Sequence, residues 1–214
     1  MVLDTSEQLV EQWVAAWVHV RDLTVTRCDG WPLVRVAAPS RETEIVCVDP
    51  GVARWHELTR HVAGDSRAML TVMAHDVGPY LTARRRDDVR IDRDDESLMS
   101  ATLEDVPVPA LPDGLTSRWD LDEHRATYTL ESGDAVAATG TVGLLGRVAV
   151  FDEVETMPAF QRRGLGSHVV AVLTTQAHGR GATHGVLAAS AQGRPLYQSF
   201  GWRTRLEMLS VMGT

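Results

Sequence analysis

Short apolar runs dominate the pattern of this sequence, and their periodicity separates predicted strands from predicted helices. Residues 5–20 follow a helical period, and Thr5 with Gln8 forms a capping box at its start. Trp13 and Trp17 fall on the apolar face of this helix, where we expect core or interface residues, with cofactor stacking as the alternative. The first predicted element is therefore an amphipathic helix.

Strands and short helices alternate through the rest of the first half. Asp29-Gly30 is a strong signal for a hairpin turn between the first two strands. The predicted elements are strands over residues 24–28, 31–38 and 44–48, a helix over 52–62, a strand over 68–74, a short helix from Gly78 and a strand over 97–103.

A proline-rich connector, residues 105–114, follows these elements, and its alternate prolines exclude a helix and favour an extended segment. It separates a predicted first lobe, residues 1–104, from a second lobe, residues 115–214. The second lobe is predicted to contain strands over residues 115–119, 126–130, 135–142 and 147–156, a helix over 167–178, a strand over 185–190, a helix over 193–200 and a strand over 203–211.

The composition is that of a globular protein and excludes some classes of function. Hydrophobic residues make up 44% of the chain, as in a globular protein, and the formal net charge of −8 argues against a general nucleic-acid binder. No apolar run has the length of a membrane span and no signal-peptide pattern is found, so we expect no membrane partner and a cytoplasmic location. Cys28 and Cys47 are interpreted as buried, reduced thiols, with a disulfide as the alternative.

The histidines of the first half do not have metal-binding spacing. A His-Glu-x-x-His motif places two histidines four residues apart on one helix face, whereas His56 and His61 are five apart. Both are therefore interpreted as solvated, and no metal site is expected. The triplet Arg84-Arg85-Arg86 is interpreted as a solvated face rather than a binding patch.

The stretch Gln161-Arg162-Arg163-Gly164-Leu165-Gly166 lies between a strand pattern and a helix pattern. Glycines in such a loop let the backbone approach a ligand, and the first turn of the following helix has N–H groups without internal partners. Those donors, the helix dipole and the two arginines attract an anion. The loop therefore predicts a phosphate site, with a plain helix start that contains two glycines as the alternative.

Two stretches of the second half resemble the signatures of the GNAT acetyltransferase superfamily. Residues 154–166 are similar to the first signature, whose core is Gln/Arg-x-x-Gly-x-Gly/Ala. Residues 190–202 are similar to the second, in which a short helix carrying Leu-Tyr runs into Gly-Phe or Gly-Trp. The resemblance implies an α/β (α+β) fold with a mixed, mostly antiparallel sheet flanked by helices. It also implies an acetyl-CoA-dependent N-acetyltransferase in which a primary amine attacks the thioester directly.

The resemblance assigns the binding of acetyl-CoA to two segments and one further residue. The backbone of Val154, Glu155 and Thr156 would pair with the pantetheine arm, like an added strand. Ser190 stands where the family often has asparagine, and its hydroxyl would bond the cofactor or an ordered water. Backbone amides that would hold the pyrophosphate belong to Gln161, Arg162, Arg163, Gly164, Leu165, Gly166 and Ser167.

The resemblance also suggests the groups that move protons. Tyr197 is the expected acid, because the family's tyrosine lies near the thioester sulfur and a phenol can protonate a thiolate. The alternative is a Tyr197 ring that only packs. Glu153 and Glu155 are the candidate bases through water, and regular strand alternation would place both on one face. Each glutamate could instead be an ordinary surface carboxylate.

The first half faintly repeats the second. Residues 48–50 parallel residues 156–158, and residues 78–80 parallel residues 193–197, but the first half has no phosphate loop. We therefore expect two tandem GNAT-like lobes, the first degenerate, with one cofactor in each chain. The segment 120–125 is too short for the two helices that the family usually has between its first two strands.

Two other functions stay open from the sequence. One is a non-catalytic acyl-CoA-binding or sensing module, and the other is a structural partner protein with Trp13 and Trp17 at an interface. The expected acceptor is a small-molecule amine or a peptide, and small amine, antibiotic, amino acid and protein N-terminus all fit. The protein is expected to be a monomer or a homodimer.

Overall fold

The computed structural model of the protein describes residues 5–214. These residues form two compact units, each assembled from separate segments of the chain. The first unit consists of residues 5–99, 188–192 and 204–214, and the second of residues 100–187 and 193–203.

The first unit begins with the predicted amphipathic helix, and the predicted cap is present, since the Gln8 N–H donates to Thr5 Oγ1 over 3.2 Å. The Asp29-Gly30 turn is confirmed, with both residues at positive φ. The elements of this part of the chain are α1 (Ser6–Val20), β1 (Thr24–Cys28), β2 (Trp31–Ala38), β3 (Arg41–Val48), α2 (Val52–Leu58) with a 3-10 turn (Thr59–His61), β4 (Ala68–Ala74), α3 (Gly78–Thr82) and β5 (Val89–Thr102).

The sheet of the first unit has the strand order β1-β2-β3-β4-β11-β5, where β11 (Arg203–Gly213) is the last strand of the chain. β1, β2 and β3 are antiparallel neighbours, and β3 runs parallel to β4 over six residue pairs. β11 is antiparallel to β4 over another six pairs, from Met69–Met212 to Ala74–Glu207. The end of the chain therefore supplies a central strand of the first unit.

Apolar side chains of the strands and of the helices together form the core of the first unit. Trp55 of α2 and Tyr80 of α3 are buried with ring centroids 6.1 Å apart. Trp13 and Trp17 of α1 are buried and stacked at 5.3 Å, so the prediction that they are packing residues is confirmed. Among the described residues no helix is long and apolar enough to cross a membrane.

The cysteines and histidines of the first half match their predicted environments only in part. Cys28 and Cys47 are unpaired thiols, as expected, although Cys28 is only half-buried. His61 is exposed and its Nε2 lies 3.0 Å from Asp29 Oδ2, whereas His56 is partly buried beside Trp55.

The second unit contains the elements that the sequence predicts for the second half. Its sheet has the order β10-β9-β8-β7-β6, and all neighbours are antiparallel except β9 and β10. No helix lies between β6 and β7, as the short segment there predicts. The elements are β6 (Thr116–Leu121), β7 (Arg125–Ser132), β8 (Ala135–Leu145), β9 (Val148–Thr156), a 3-10 turn (Pro158–Phe160), α4 (Leu165–Gly179), β10 (His184–Ala189) and α5 (Arg194–Ser199).

The two halves of the chain share an order of elements. Three antiparallel strands, a helix, a parallel strand, a short helix and a long strand follow one another in β1–β5 and again in β7–β11. Both short helices have proline at their second position, and each carries one buried tyrosine, Tyr80 in α3 and Tyr197 in α5. The correspondence covers order and direction as well as single residues.

The largest error in a predicted boundary concerns β5. The prediction starts the last strand of the first half at residue 97, whereas β5 already starts at Val89. The part of β5 that was not predicted, residues 89–96, is mostly polar. Arg93 pairs with Glu96 over 3.1 Å and Arg90 with Asp92 over 3.0 Å. Apolar periodicity cannot reveal a strand whose side chains are satisfied by ion pairs.

Gly140 of β8 allows α4 to lie close to the sheet. A Cβ atom at this position would lie 2.7 Å from Val169 Cγ1, 2.9 Å from Leu173 Cδ1 and 3.1 Å from Val154 Cγ2. Such distances are shorter than van der Waals contact, so α4 depends on a residue without a side chain.

We expect Gly140→Ala to destabilise the protein by about 1–3 kcal/mol, because an overpacked core must shift its side chains or backbone. Urea unfolding measures this change. Gly179→Ala is the matched control, since nothing lies within 4 Å of a Cβ there. Equal stability of the two variants would contradict the close packing.

Candidate functional site

A β-bulge interrupts β9 at the predicted cofactor strand. Asp152 is opposite Thr141 of β8 and Glu155 is opposite Thr139, so Glu153 and Val154 together face Gly140. Glu153 adopts φ +52°, a left-handed conformation that is uncommon outside glycine. The bulge therefore changes the direction of side chains in the second part of β9.

The bulge corrects one expectation about the carboxylates. Glu153 and Glu155 do not share a face by regular alternation, because the extra residue shifts the period. Instead Asp152 and Glu155 are register partners of Thr141 and Thr139, whose side chains lie on one face of β8. Asp152 is partly buried, whereas both glutamates are exposed. Sequence periodicity did not indicate Asp152, which is distinguished from its neighbours by the bulge and by its partial burial.

The end of β9 has backbone groups that its parallel neighbour does not use. The register between β9 and β10 covers three pairs, from Val148–His184 to Val150–Val186. β9 continues for six residues beyond the last of these pairs, through Val154, Glu155 and Thr156. A strand edge without a neighbour can accept an extended ligand as an added strand.

The loop after β9 has the conformation of an anion-binding helix start. Arg162 adopts φ +63° and Gly164, the N-cap of α4, adopts φ +80°. No side chain caps α4, and the N–H of His168 is bonded to the Gly164 carbonyl at 3.0 Å. The N–H groups of the first turn are left for a ligand, and the helix dipole favours a negative one.

Side chains of the loop hold its shape. Gln161 Nε2 donates to the Thr156 carbonyl over 3.2 Å, and Arg163 donates to the Ala159 carbonyl over 3.1 Å. The Arg163 guanidinium also lies 5.4 Å from the centroid of the Phe160 ring. These contacts fix the loop while both of its arginines stay exposed and add positive charge.

Gly166 brings three elements together. A Cβ on Gly166 would lie 3.1 Å from Leu196 Cδ2 of α5 and 3.5 Å from Thr156 Oγ1 at the end of β9. The start of α4, the end of β9 and the helix that carries Tyr197 therefore meet within van der Waals distance.

Tyr197 is 7% exposed and packs in an aromatic cluster. Its ring meets Trp202 edge-on at 5.9 Å, and Trp202 meets Phe151 at 5.0 Å. Burial raises the pKa of Tyr197 well above its ordinary value, and the negative charge of Asp152 raises it further. Tyr197 therefore stays a neutral O–H donor at physiological pH.

Ser190 directly follows β10 and is exposed. It belongs to the first compact unit, whereas Tyr197 and the loop belong to the second. Its contact with the cofactor stays a prediction.

The first unit has a different arrangement at the corresponding helix start. Only three residues separate β3 from α2, and the N–H of Gly51, the N-cap, donates to the Tyr80 hydroxyl over 3.1 Å. That hydroxyl donates in turn to Asp49 Oδ1 over 2.6 Å. Burial, together with the bond to Asp49, raises the pKa of Tyr80 to about 12. The Tyr80 hydroxyl therefore lies at this helix start and binds the N–H of the N-cap, although α2, like α4, has no side-chain cap.

Comparison with known proteins identifies the fold and the family. The profile of the Acetyltransferase (GNAT) family matches residues 91–202, more than half of the chain. A search of curated protein sequences gave no match. The membership and the fold class that the sequence predicts are confirmed.

Similar solved structures cover nearly the whole chain. A GCN5-related N-acetyltransferase from Kribbella flavida aligns with 100% of this chain and 96% of its own at 15% identity and a TM-score of 0.67. A putative GNAT-family acetyltransferase from Novosphingobium aromaticivorans aligns with 90% of this chain and 92% of its own, at 18% identity and a TM-score of 0.56. A tandem GNAT protein from the clavulanic acid biosynthesis pathway aligns with 87% of this chain and 81% of its own, at 14% identity and a TM-score of 0.52. At these identities the likeness concerns the fold.

We expect Asp152→Asn to lower the pKa of Tyr197 while leaving it above the ordinary value, because burial is the larger cause of its shift. The ultraviolet absorbance of tyrosinate against pH measures this, and Tyr197→Phe identifies which part of the signal belongs to Tyr197. Superimposable titrations of wild type and Asp152→Asn would contradict the assigned interaction.

Proposed function

Because the chain belongs to the GNAT acetyltransferase family, we propose that it moves the acetyl group of acetyl-CoA to a primary amine of a small molecule or peptide. The observation that carries the proposal is the meeting of three features in the second unit. The first turn of α4 has no side-chain cap, the end of β9 has no β10 partner, and Tyr197 is a buried neutral donor. Each feature meets one need of acyl transfer from a thioester.

The donor would be held by backbone groups. Val154, Glu155 and Thr156 at the end of β9 would pair with the pantetheine arm. The amides from Gln161 to Ser167 would bind the pyrophosphate, and the exposed arginines Arg162 and Arg163 would add attraction. The close approach at Gly166 fits this role, since a side chain there would fill space beside Thr156 and Leu196.

The residues divide the proton transfers between them. The amine nitrogen forms a bond to the acetyl carbon as the carbon–sulfur bond breaks. A carboxylate of β9 takes the amine proton through water, and the candidates are Glu153, Glu155 and Asp152. Tyr197 donates a proton to the leaving sulfur and is later reprotonated from solvent.

The first half of the chain is interpreted as a degenerate GNAT-like lobe. Its order of elements supports this, and Tyr80 with Asp49 occupies the helix start where a cofactor would bind. The last strand, β11, completes the sheet of the first unit. The division into lobes at residues 105–114, the cytoplasmic location and the oligomeric state stay predictions.

We expect wild-type protein to release free thiol from acetyl-CoA with at least one member of a panel of amines and amino-terminal peptides. Tyr197→Phe should lower kcat about 100-fold, the usual contribution of a general acid, with the affinity for coenzyme A unchanged. Gln198→Ala, an exposed neighbour on α5, is the control for damage to the helix. Binding of coenzyme A without thiol release from any amine would instead favour an acyl-CoA-binding module.

We expect calorimetry to find one molecule of coenzyme A for each chain. Gly164→Val should abolish binding, because a β-branched residue cannot adopt φ +80° without strain. Gly51→Val is the matched control, since Gly51 caps α2 at φ +76° and should not affect binding. Two molecules per chain, or loss of binding in Gly51→Val alone, would reject the assignment of the two helix starts.

A further inference from the structure

His168 is a buried polar residue immediately after the phosphate loop. It is the fourth residue of α4, and its side chain is 5% exposed. Its Nδ1 lies 2.8 Å from the carbonyl oxygen of Pro109, and its Nε2 lies 3.0 Å from the hydroxyl of Tyr128 on β7. One ring therefore connects the helix that follows the loop, the proline-rich connector and the sheet.

The partners of His168 determine which nitrogen of the neutral ring carries the hydrogen. A carbonyl oxygen only accepts hydrogen bonds, so Nδ1 carries the hydrogen and donates to Pro109. Nε2 then has a lone pair and accepts the hydrogen of the Tyr128 hydroxyl. Both ring nitrogens are satisfied in a buried site, where an unpaired polar atom would be costly. The ring position is therefore fixed from two directions.

The connector has a second, weaker attachment to α4. Thr175 Oγ1 donates to the carbonyl of Val106 over 3.4 Å. Thr175 lies seven residues, about two helical turns, beyond His168 and away from the loop. Both contacts attach the connector to α4, but only the contact of His168 lies beside the phosphate loop. A variant of Thr175 therefore tests attachment of the connector without disturbing the loop.

The position of the first turn of α4 matters because its surroundings leave little free space. The backbone N–H of His168 donates to Gly164, so a shift of residue 168 moves the N-cap. A Cβ atom on Gly166 would lie 3.1 Å from Leu196 Cδ2 of α5. A displaced turn would therefore either strike α5 or withdraw its N–H groups from a ligand.

We propose that His168 is a positioning residue for the acyl donor. By joining Pro109 and Tyr128 it holds the first turn of α4 where its N–H groups receive the pyrophosphate. The inference rests on the proposed function, because it concerns the same cofactor site. It adds two residues outside the family signatures, His168 and Tyr128, and gives the connector a role in donor binding.

The test compares coenzyme A binding and steady-state kinetics in four proteins. These are wild type, His168→Leu, Tyr128→Phe and the control Thr175→Val. His168→Leu should raise both the Kd of coenzyme A and the KM of acetyl-CoA about tenfold, with kcat and the KM of the amine little changed. Tyr128→Phe should give a smaller rise of a few-fold, and Thr175→Val should give none.

A shortened donor distinguishes positioning from general damage. S-acetylpantetheine has the thioester and the pantetheine arm but no pyrophosphate, so His168→Leu and wild type should use it equally well. A merely structural role would lower thermal stability and activity with both donors alike. Should His168→Leu not fold, Tyr128→Phe decides, since it removes a single hydroxyl.

The outcomes separate this inference from the proposed function. Failure of the wild type to bind coenzyme A would reject both. Binding by the wild type with an unchanged Kd in His168→Leu, or in a folded Tyr128→Phe when His168→Leu does not fold, would reject only the role of His168. If Thr175→Val weakened coenzyme A binding as much as His168→Leu, the role of His168 would also be rejected. Loss of a connector contact far from the loop would then have the same effect on binding.

Discussion

Backbone N–H and C=O groups need partners, and at two neighbouring places of the second unit such groups lie outside the pairing of strands and the capping of helices. The first turn of α4 has no side-chain cap, and β9 runs beyond its pairing with β10. The bulge at Glu153, the left-handed Gly164 and the close approach at Gly166 all maintain this arrangement. A donor with a polar extended arm and a pyrophosphate is the kind of ligand that satisfies both places at once.

The first unit meets the same constraint with its own side chains. Gly51 donates to Tyr80, whose hydroxyl donates to Asp49, so the start of α2 already has a partner. The order of elements is shared with the second half, yet only three residues separate β3 from α2. After the short connection in the first unit, Tyr80 binds the N–H of the N-cap of α2. After the longer loop in the second unit, the first turn of α4 has no side-chain cap. The difference between the two helix starts therefore lies in the connection rather than in the order of elements.

Sequence could predict what is local. Periodicity and turn residues predicted nearly all elements, and the loop from Gln161 to Gly166 follows from glycine positions and neighbouring patterns. It could not predict features that depend on strand register or distant partners. The bulge that separates Glu153 from Glu155 arises from pairing with β8, and His168 meets Pro109, which is 59 residues away. Likewise, ion pairs hid the polar first half of β5.

The environment of Tyr197 indicates which residues of the candidate site could act as acid and which as base. A phenol whose pKa is raised by burial and by Asp152 stays protonated at neutral pH, so it can donate but cannot serve as the base. In the proposed reaction a carboxylate would therefore remove the amine proton, and β9 has three of them, Asp152, Glu153 and Glu155. Among these, Asp152 is partly buried and its charge affects Tyr197, whereas Glu153 and Glu155 are exposed. Exposure to water suits a base that acts through a solvent molecule, whereas the charge of the partly buried Asp152 raises the pKa of Tyr197.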